Sequence, residues 1–338
     1  MGSTMELKQL NMEIIRKAIQ TEVSCTKASL SRVTGLSLAT CNNFLNEMLD
    51  NGELAIKQVK SEGGRPACQF VYNKNYRHVF CVHVKVVSSV PHVHYAIANA
   101  IGEIIEQNTL YPNSITLDYL QDLLQQMVTR DPLIDVVGIS VPGNVYEGVI
   151  ERCDISFLQG LDIRTAIEQR QNVKVIVEND MNFVAYGYYC ESDQINQNLA
   201  AIDFPISDPV GAGIIIGGKI YNGYSRFAGE LSYALAAIGI DRAHQSAALL
   251  EKSVLLNLVA KSILMIACVL DPSCIVLTSE NITEEELNGV KDYCEQFVGK
   301  SHIPKIVLRQ DFSQLCINGI VHATLNSIQY QHQFQLNI

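Results

Sequence analysis

The stretch VKVIVENDMN, residues 173–182, decides how this chain is read. Val173–Val177 is a short apolar strand that runs into Glu178-Asn179-Asp180. In α/β proteins the carboxyl ends of strands open onto binding crevices. A carboxylate placed there can take a proton from a hydroxyl or simply hold that hydroxyl. The competing reading is local, with Asp180 serving only as the cap of the helix that follows.

Outward from this stretch the pattern stays layered. Val79–Val87, Val90–Ala98 and Glu103–Gln107 read as a meander with a turn at Asn99–Gly102. A helix is predicted from about Leu117 to Thr129, and Val136–Ser140 is a buried strand ending at Pro142-Gly143. Val254–Val269 is a strongly apolar helix, expected in the core or at a lobe interface. Asp271-Pro272 stops it before a strand at Cys274–Thr278. A last helix, Leu315–Ile328, is expected to pack back on the first part of the body. Such alternation of strands and helices implies an α/β fold.

The first 75 residues follow a different pattern. Leu7, Leu10, Ile14, Ile15, Ala18 and Ile19 recur at helical spacing. Thr26 caps a second short helix, which Gly35 ends with a left-handed turn. Ser37 caps a third, whose apolar stripe is Cys41, Phe44, Leu45, Met48 and Leu49, with Thr40, Asn42, Asn43 and Asn46 mainly off it. Two short helices joined at a glycine describe a helix-turn-helix. Leu54–Val59 and Cys68–Tyr72, separated by Gly63-Gly64-Arg65-Pro66, read as a hairpin wing. Ser37, Thr40, Asn42 and Asn43 are the candidate DNA contacts, with Arg65 suited to phosphate or the minor groove. The alternative is a helical dimerisation unit with a solvated polar face.

Bulk properties are compatible with a DNA-reading head on an acidic body. The 338 residues are 48% apolar, enough for two or three domains. Net charge is −10, yet residues 1–75 carry nine Lys/Arg against seven Asp/Glu, while the remainder carries 16 against 28. Ten scattered cysteines with no C-x-x-C pair read as small apolar residues in a reducing cytoplasm. No uninterrupted apolar run reaches about 18 residues, so no membrane span is expected. The polar start after Met1 has no apolar leader core.

With these residues in view, a family resemblance emerges. The segments SLSRVTGLSLATCNNFLNEMLDNGEL and EGGRPACQFVYN resemble the head of ROK-family repressors, a family of repressors, open reading frames and sugar kinases. ENDMN, residues 178–182, resembles that family's END-x-N motif, and GAGIIIGGKIYNGYSRFAGELSY resembles its next segment. The resemblance covers nearly the whole chain. It implies a winged helix-turn-helix over residues 5–75 and a two-lobed, actin-like and ribonuclease-H-like sugar-kinase fold. The first lobe would span 76–190 with a returning helix at 313–334, and the second 191–312. It assigns sugar contacts to Asn179, Asp180, Glu230, Glu251 and Asp154. Gly211 and Gly213 match a phosphate-loop pair.

Departures from the family point away from ATP. Where its kinases carry D-x-G-G-T-K, this chain has His83-Val84-Lys85-Val86-Val87-Ser88. The second phosphate loop reads Ser207-Asp208-Pro209-Val210-Gly211-Ala212-Gly213, which puts a carboxylate near a phosphate position. The adenosine contact reads Val276-Leu277-Thr278-Ser279. Ser232-Tyr233 replaces a Gly-His of the family's zinc site, and no cysteine occurs between Cys190 and Cys268, so no zinc and no cofactor are expected. The expected function is a sugar-sensing, operator-binding regulator that forms a homodimer on paired half-sites. The alternatives are an ATP-dependent sugar kinase with an added head, or a regulator whose body docks a protein.

Overall fold

The computed structural model describes residues 4–21, 25–59, 67–192, 197–205, 210–248 and 251–329. Arg65 and Asp208 lie outside the described residues.

Three helices come first: α1 (Thr4–Thr21), α2 (Lys27–Thr34) and α3 (Leu38–Asp50). Thr26 and Ser29 form a reciprocal capping box on α2, and Gly35 ends it at φ 71°. Ser37 caps α3 by accepting from the Thr40 amide. The antiparallel pair β1 (Leu54–Val59) and β2 (Ala67–Tyr72) follows. All five elements close on one core that includes Ile15, Ile19, Leu30, Leu45, Met48 and Phe70. One fastening of this core was invisible to periodicity. Glu53, 1% exposed, lies in a two-pronged ion pair with Arg16, its Oε2 taking Nη2 at 3.1 Å, and also accepts from the Tyr72 hydroxyl at 3.2 Å. Removing one partner leaves a buried charge alone, which typically costs about 3–5 kcal/mol. Arg16→Ala should therefore lower the urea stability of this unit by about 3 kcal/mol. An unchanged unfolding midpoint would mean that water reaches Glu53.

The body starts with β3 (His78–Val87), β4 (Val90–Asn99) and β5 (Ile104–Leu110), then α4 (Leu117–Arg130) and β6 (Ile134–Val141). A short antiparallel hairpin, β7 (Gly143–Tyr146) and β8 (Val149–Cys153), precedes α5 (Ile163–Arg170), β9 (Lys174–Asn179) and α6 (Asp180–Glu191). Then come β10 (Leu199–Asp203), β11 (Gly211–Ile216), β12 (Lys219–Ile220), α7 (Leu231–Ala237), α8 (Arg242–Ala248) and α9 (Lys252–Leu270). The last elements are β13 (Cys274–Thr278), α10 (Glu284–Val298), β14 (Lys305–Arg309) and α11 (Phe312–Gln329).

Two five-stranded sheets result, ordered β5-β4-β3-β6-β9 and β12-β11-β10-β13-β14. In each, the first three strands pair antiparallel and the last two join parallel. The same topology thus occurs twice. Side-chain alternation along β3 separates two faces. Phe80, Val82 and Val84 pack with α4 and α5, whereas Val79 and Cys81 pack with α6 and α11. The α6–α11 layer also takes Leu199 and Ala201 of β10 and Cys274 and Val276 of β13. The opposite face of the second sheet is covered by α9 and α10. Five layers result, with α11 packed between the two sheets.

One helix, α9, is long and apolar enough to cross a membrane by length and composition. Asn257 and Lys261 interrupt its apolar run, so no unbroken stretch marks it in the sequence. In this fold Leu255, Leu258, Val259, Ile263 and Ile266 of α9 are core residues of the second sheet. Among the described residues six cysteines are buried.

Candidate functional site

A cleft of about 300 Å³ opens at the carboxyl ends of β9, β10, β13 and β14, the side where open α/β sheets bind ligands. Asn179, Asp180, Asp154 and Glu230 all line it. Glu251 does not. It is exposed at the entrance of α9, where its carboxylate accepts from the Ser253 hydroxyl at 2.9 Å. The family resemblance assigns it to the site; the fold places it on the surface.

The local reading of the END motif is resolved by which side chain caps. Asn179 is the N-cap of α6, its Oδ1 accepting from the amides of Met181 and Asn182, while its Nδ2 donates to the Gly143 carbonyl at 3.1 Å. Asp180 occupies the first helical turn instead. Its Oδ1 accepts from the Met181 amide at 2.9 Å. A helix N-terminus favours the ionised form. Burial outweighs that, and the neighbouring Asp203 and Asp154 add to it, so the Asp180 carboxyl is pushed up to about 7.

Asp203 was missed from sequence. It ends β10 and accepts from the Thr278 hydroxyl at 2.5 Å. No motif marks it; only the pairing of β10 with β13 brings Thr278 beside it. Gly213, read as half of a phosphate loop, has a packing reason. A Cβ there would lie 2.0 Å from the Met181 carbonyl oxygen, so glycine lets the first turn of α6, and Asp180 with it, lie on β11.

Behind the cleft a polar network joins the motif to the loop that carries Glu230. Glu178 accepts from Asn182 at 3.1 Å and from Asn222 at 3.0 Å, and Asn182 also donates to the Asn222 side chain at 2.8 Å. Arg226 approaches Glu178 at 3.6 Å. Burial raises the Glu230 carboxyl pKa, opposed by Arg242 and Arg152.

The other end of the cleft is lined by Lys85, Thr278, Ser279, Arg309 and Phe312. His83 is not there. It is fully buried, with Nδ1 3.2 Å from the Ser140 hydroxyl and its ring stacked on His94. Burial holds its pKa well below the usual imidazole range, with Lys85 and His94 adding to the shift. The β3–β4 turn is made by Ser88 and Ser89 at φ 49° and 65°, so side chains occupy a turn that a backbone phosphate cradle would leave bare. Among the described residues, no group of three or more His, Cys, Asp or Glu is disposed to hold a metal ion.

In the N-terminal unit, Ser37, Asn43 and Asn46 are exposed, and Thr40 shares a 2.8 Å hydrogen bond with Ser37. Asn42 is half-buried and its Oδ1 accepts from Lys27 Nζ, which occupies the group proposed for base contact. Leu38 and Ala39 are exposed beside them, a feature that a core-stripe reading left unassigned.

Known proteins share this architecture. Residues 90–238 match the model of the ROK family. The xylose repressor of Bacillus spizizenii is 31% identical over 238 residues, which cover 67% of this chain and 60% of that protein. The chain thus spans about three fifths of the length of the curated relatives it matches. N-acetylmannosamine kinase of Vibrio cholerae is 32% identical over a shorter 123 residues, 36% of this chain and 42% of the kinase. Among solved structures, a ROK family transcriptional regulator homologous to the E. coli Mlc protein superposes with a TM-score of 0.72 at 16% identity, over 96% of this chain and 98% of that one. A ROK family protein from Streptococcus pneumoniae, in complex with sucrose, superposes at 0.57 and 19%, over 76% and 99%. Residues 90–238 thus match the ROK family model, and the mixed α/β body has the fold of solved ROK family proteins.

Proposed function

We propose that this protein is a DNA-binding transcriptional repressor of carbohydrate genes that senses a sugar in its cleft. The observation that carries the reading is one chain in which a capped α3 presents Ser37, Thr40 and Asn43 while Asn179, Asp180, Asp154 and Glu230 converge in a cleft elsewhere. Residues 5–75 act as a winged helix-turn-helix with α3 in the major groove. Residues 76–190 with the 313–334 helix, and 191–312, act as two lobes that close on the sugar. The protein works in the cytoplasm as a homodimer on a two-fold operator. The xylose repressor relatives make D-xylose the first neutral sugar to try.

Asn suits a two-pronged contact to adenine, worth about 1–3 kcal/mol of discrimination. Asn43→Ala should accordingly weaken specific operator binding by about ten-fold or more, with folding intact. Operator binding unchanged in that variant removes α3 as the reading helix.

One observation favours a kinase instead: Asp180, with its pKa near 7, is well placed as a general base. Against it stand the buried His83, the Ser88-Ser89 turn and Thr278-Ser279 at the adenosine position. Sugar-dependent ADP release decides between the two. The repressor reading expects none, and turnover at ordinary kinase rates of about 1–100 s⁻¹ overturns it.

A further inference from the structure

Four basic side chains line the cleft: Lys85, Arg152, Arg242 and Arg309. Two are already engaged. Lys85 Nζ donates to the Ser313 hydroxyl at 2.9 Å and lies over the Phe312 ring. Arg309 is held by Asp311 at 2.5 Å and by Glu191 at 3.2 Å.

Arg152 and Arg242 are different. Their guanidinium carbons lie 5.8 and 5.9 Å from the centroid of the Tyr233 ring, and Arg152 also donates to the Tyr233 hydroxyl. Phe227 packs against the same ring, with centroids 5.2 Å apart. Glu230 feels both charges without reaching ion-pair distance, and Asp154 influences Glu230 and Asp180 alike. An aromatic plate thus holds two guanidiniums at one end of a site whose other polar groups suit hydroxyls. Guanidinium forks match carboxylates and phosphates, often with two parallel hydrogen bonds. A neutral sugar has no group that needs them. Around Asp180 the charges are Asp203 and Asp154, so an anion would be repelled there.

We propose that the cleft takes a sugar bearing an anionic substituent, carboxylate or phosphate, seated against Arg152 and Arg242 with its hydroxyls towards Asn179 and Asp180. This rests on the cleft being an effector site, and it narrows the effector to acidic sugars. It also fixes orientation, since the anion sits on the part of the sugar away from Asp180.

Calorimetric titration of the full chain with D-xylose, D-glucuronate, D-glucose 1-phosphate and D-glucose 6-phosphate tests it. At least one acidic sugar should bind about ten-fold tighter than D-xylose or more, as a charge-assisted contact requires. That advantage should shrink with added salt. The glucuronate and phosphate arms separate the two anion classes. Arg242→Gln and Arg152→Gln, both at exposed positions, should keep the melting temperature and weaken the acidic sugar's binding by more than D-xylose's, so that its advantage is lost. D-xylose binding as tightly as every acidic sugar overturns the proposal and leaves the sugar-effector reading standing, as does an equal loss of both sugar types in the arginine variants. Absence of binding by all four compounds overturns both.

Discussion

Gly319→Ala is expected to destabilise the body by about 3 kcal/mol or more, at the severe end of single substitutions. A Cβ on Gly319 would lie 1.9 Å from the Phe183 carbonyl oxygen and 3.0 Å from the Gly187 amide. One on Gly187 would lie 2.0 Å from the Leu315 carbonyl oxygen. The two glycines let α6 and α11 touch backbone to backbone in the layer that both sheets share. Neither obstacle is a flexible side chain, so the helices themselves must part, and overpacking of that kind is costly. Gly289 supplies the opposite sign. It lies within α10 with nothing near its missing Cβ, so alanine there should stabilise by about 0.5–1 kcal/mol through helix propensity alone. Urea unfolding of both variants checks the pair. Equal effects at the two positions would refute the close crossing.

Asp180→Asn is expected to weaken sugar binding by about ten- to one-hundred-fold, since a hydrogen bond to a charged acceptor contributes about 1.5–3 kcal/mol. Its pH dependence separates ligation from mere packing. The folded carboxyl titrates at about 7, far above the ordinary aspartate value, chiefly because it is buried. Only the ionised form accepts a sugar hydroxyl at both oxygens. Affinity of the native protein should therefore rise as pH increases through about 7, and the Asn variant should lose that dependence. Stability runs the other way. Between the unfolded value and about 7 the folded state binds more protons, so Asp180's contribution to stability falls as pH rises across that window. The Asn variant should thus be the more stable protein at pH 8. A variant with normal sugar affinity and an unchanged pH profile would place Asp180 outside the ligand site.

Much of this was legible because it rests on local rules. Thr26, Gly35 and Ser37 punctuate α2 and α3 through their own backbone and side-chain bonds, and the strands of the first sheet are long and apolar enough to declare themselves. What escaped depends on contacts between distant segments. The repeat of one sheet topology is hidden because β5 runs seven residues and its counterpart β12 only two. Asp203 matters only because β10 pairs with β13 and α6 lies on β11. Arg152 and Arg242 come together only around Tyr233, which in the sequence alone marks no more than a replaced histidine. In the other direction, Glu251 is assigned to the site by resemblance alone and lies on the surface at the start of α9. Asn42 sat on the right face of α3, but Lys27 takes up its carbonyl, a contact that helical spacing within α3 does not reveal.

The central claim, that one chain reads DNA and answers to a sugar, is tested most directly by operator affinity with and without ligand. A duplex selected by the full-length protein from random sequence should bind at least about 10³-fold tighter than unselected DNA at physiological salt. A sugar shown by calorimetry to occupy the cleft should shift that affinity by about 5–150-fold, the usual range for coupled sites. Failure to select any sequence, or an operator affinity unmoved by saturating sugar, would contradict the account.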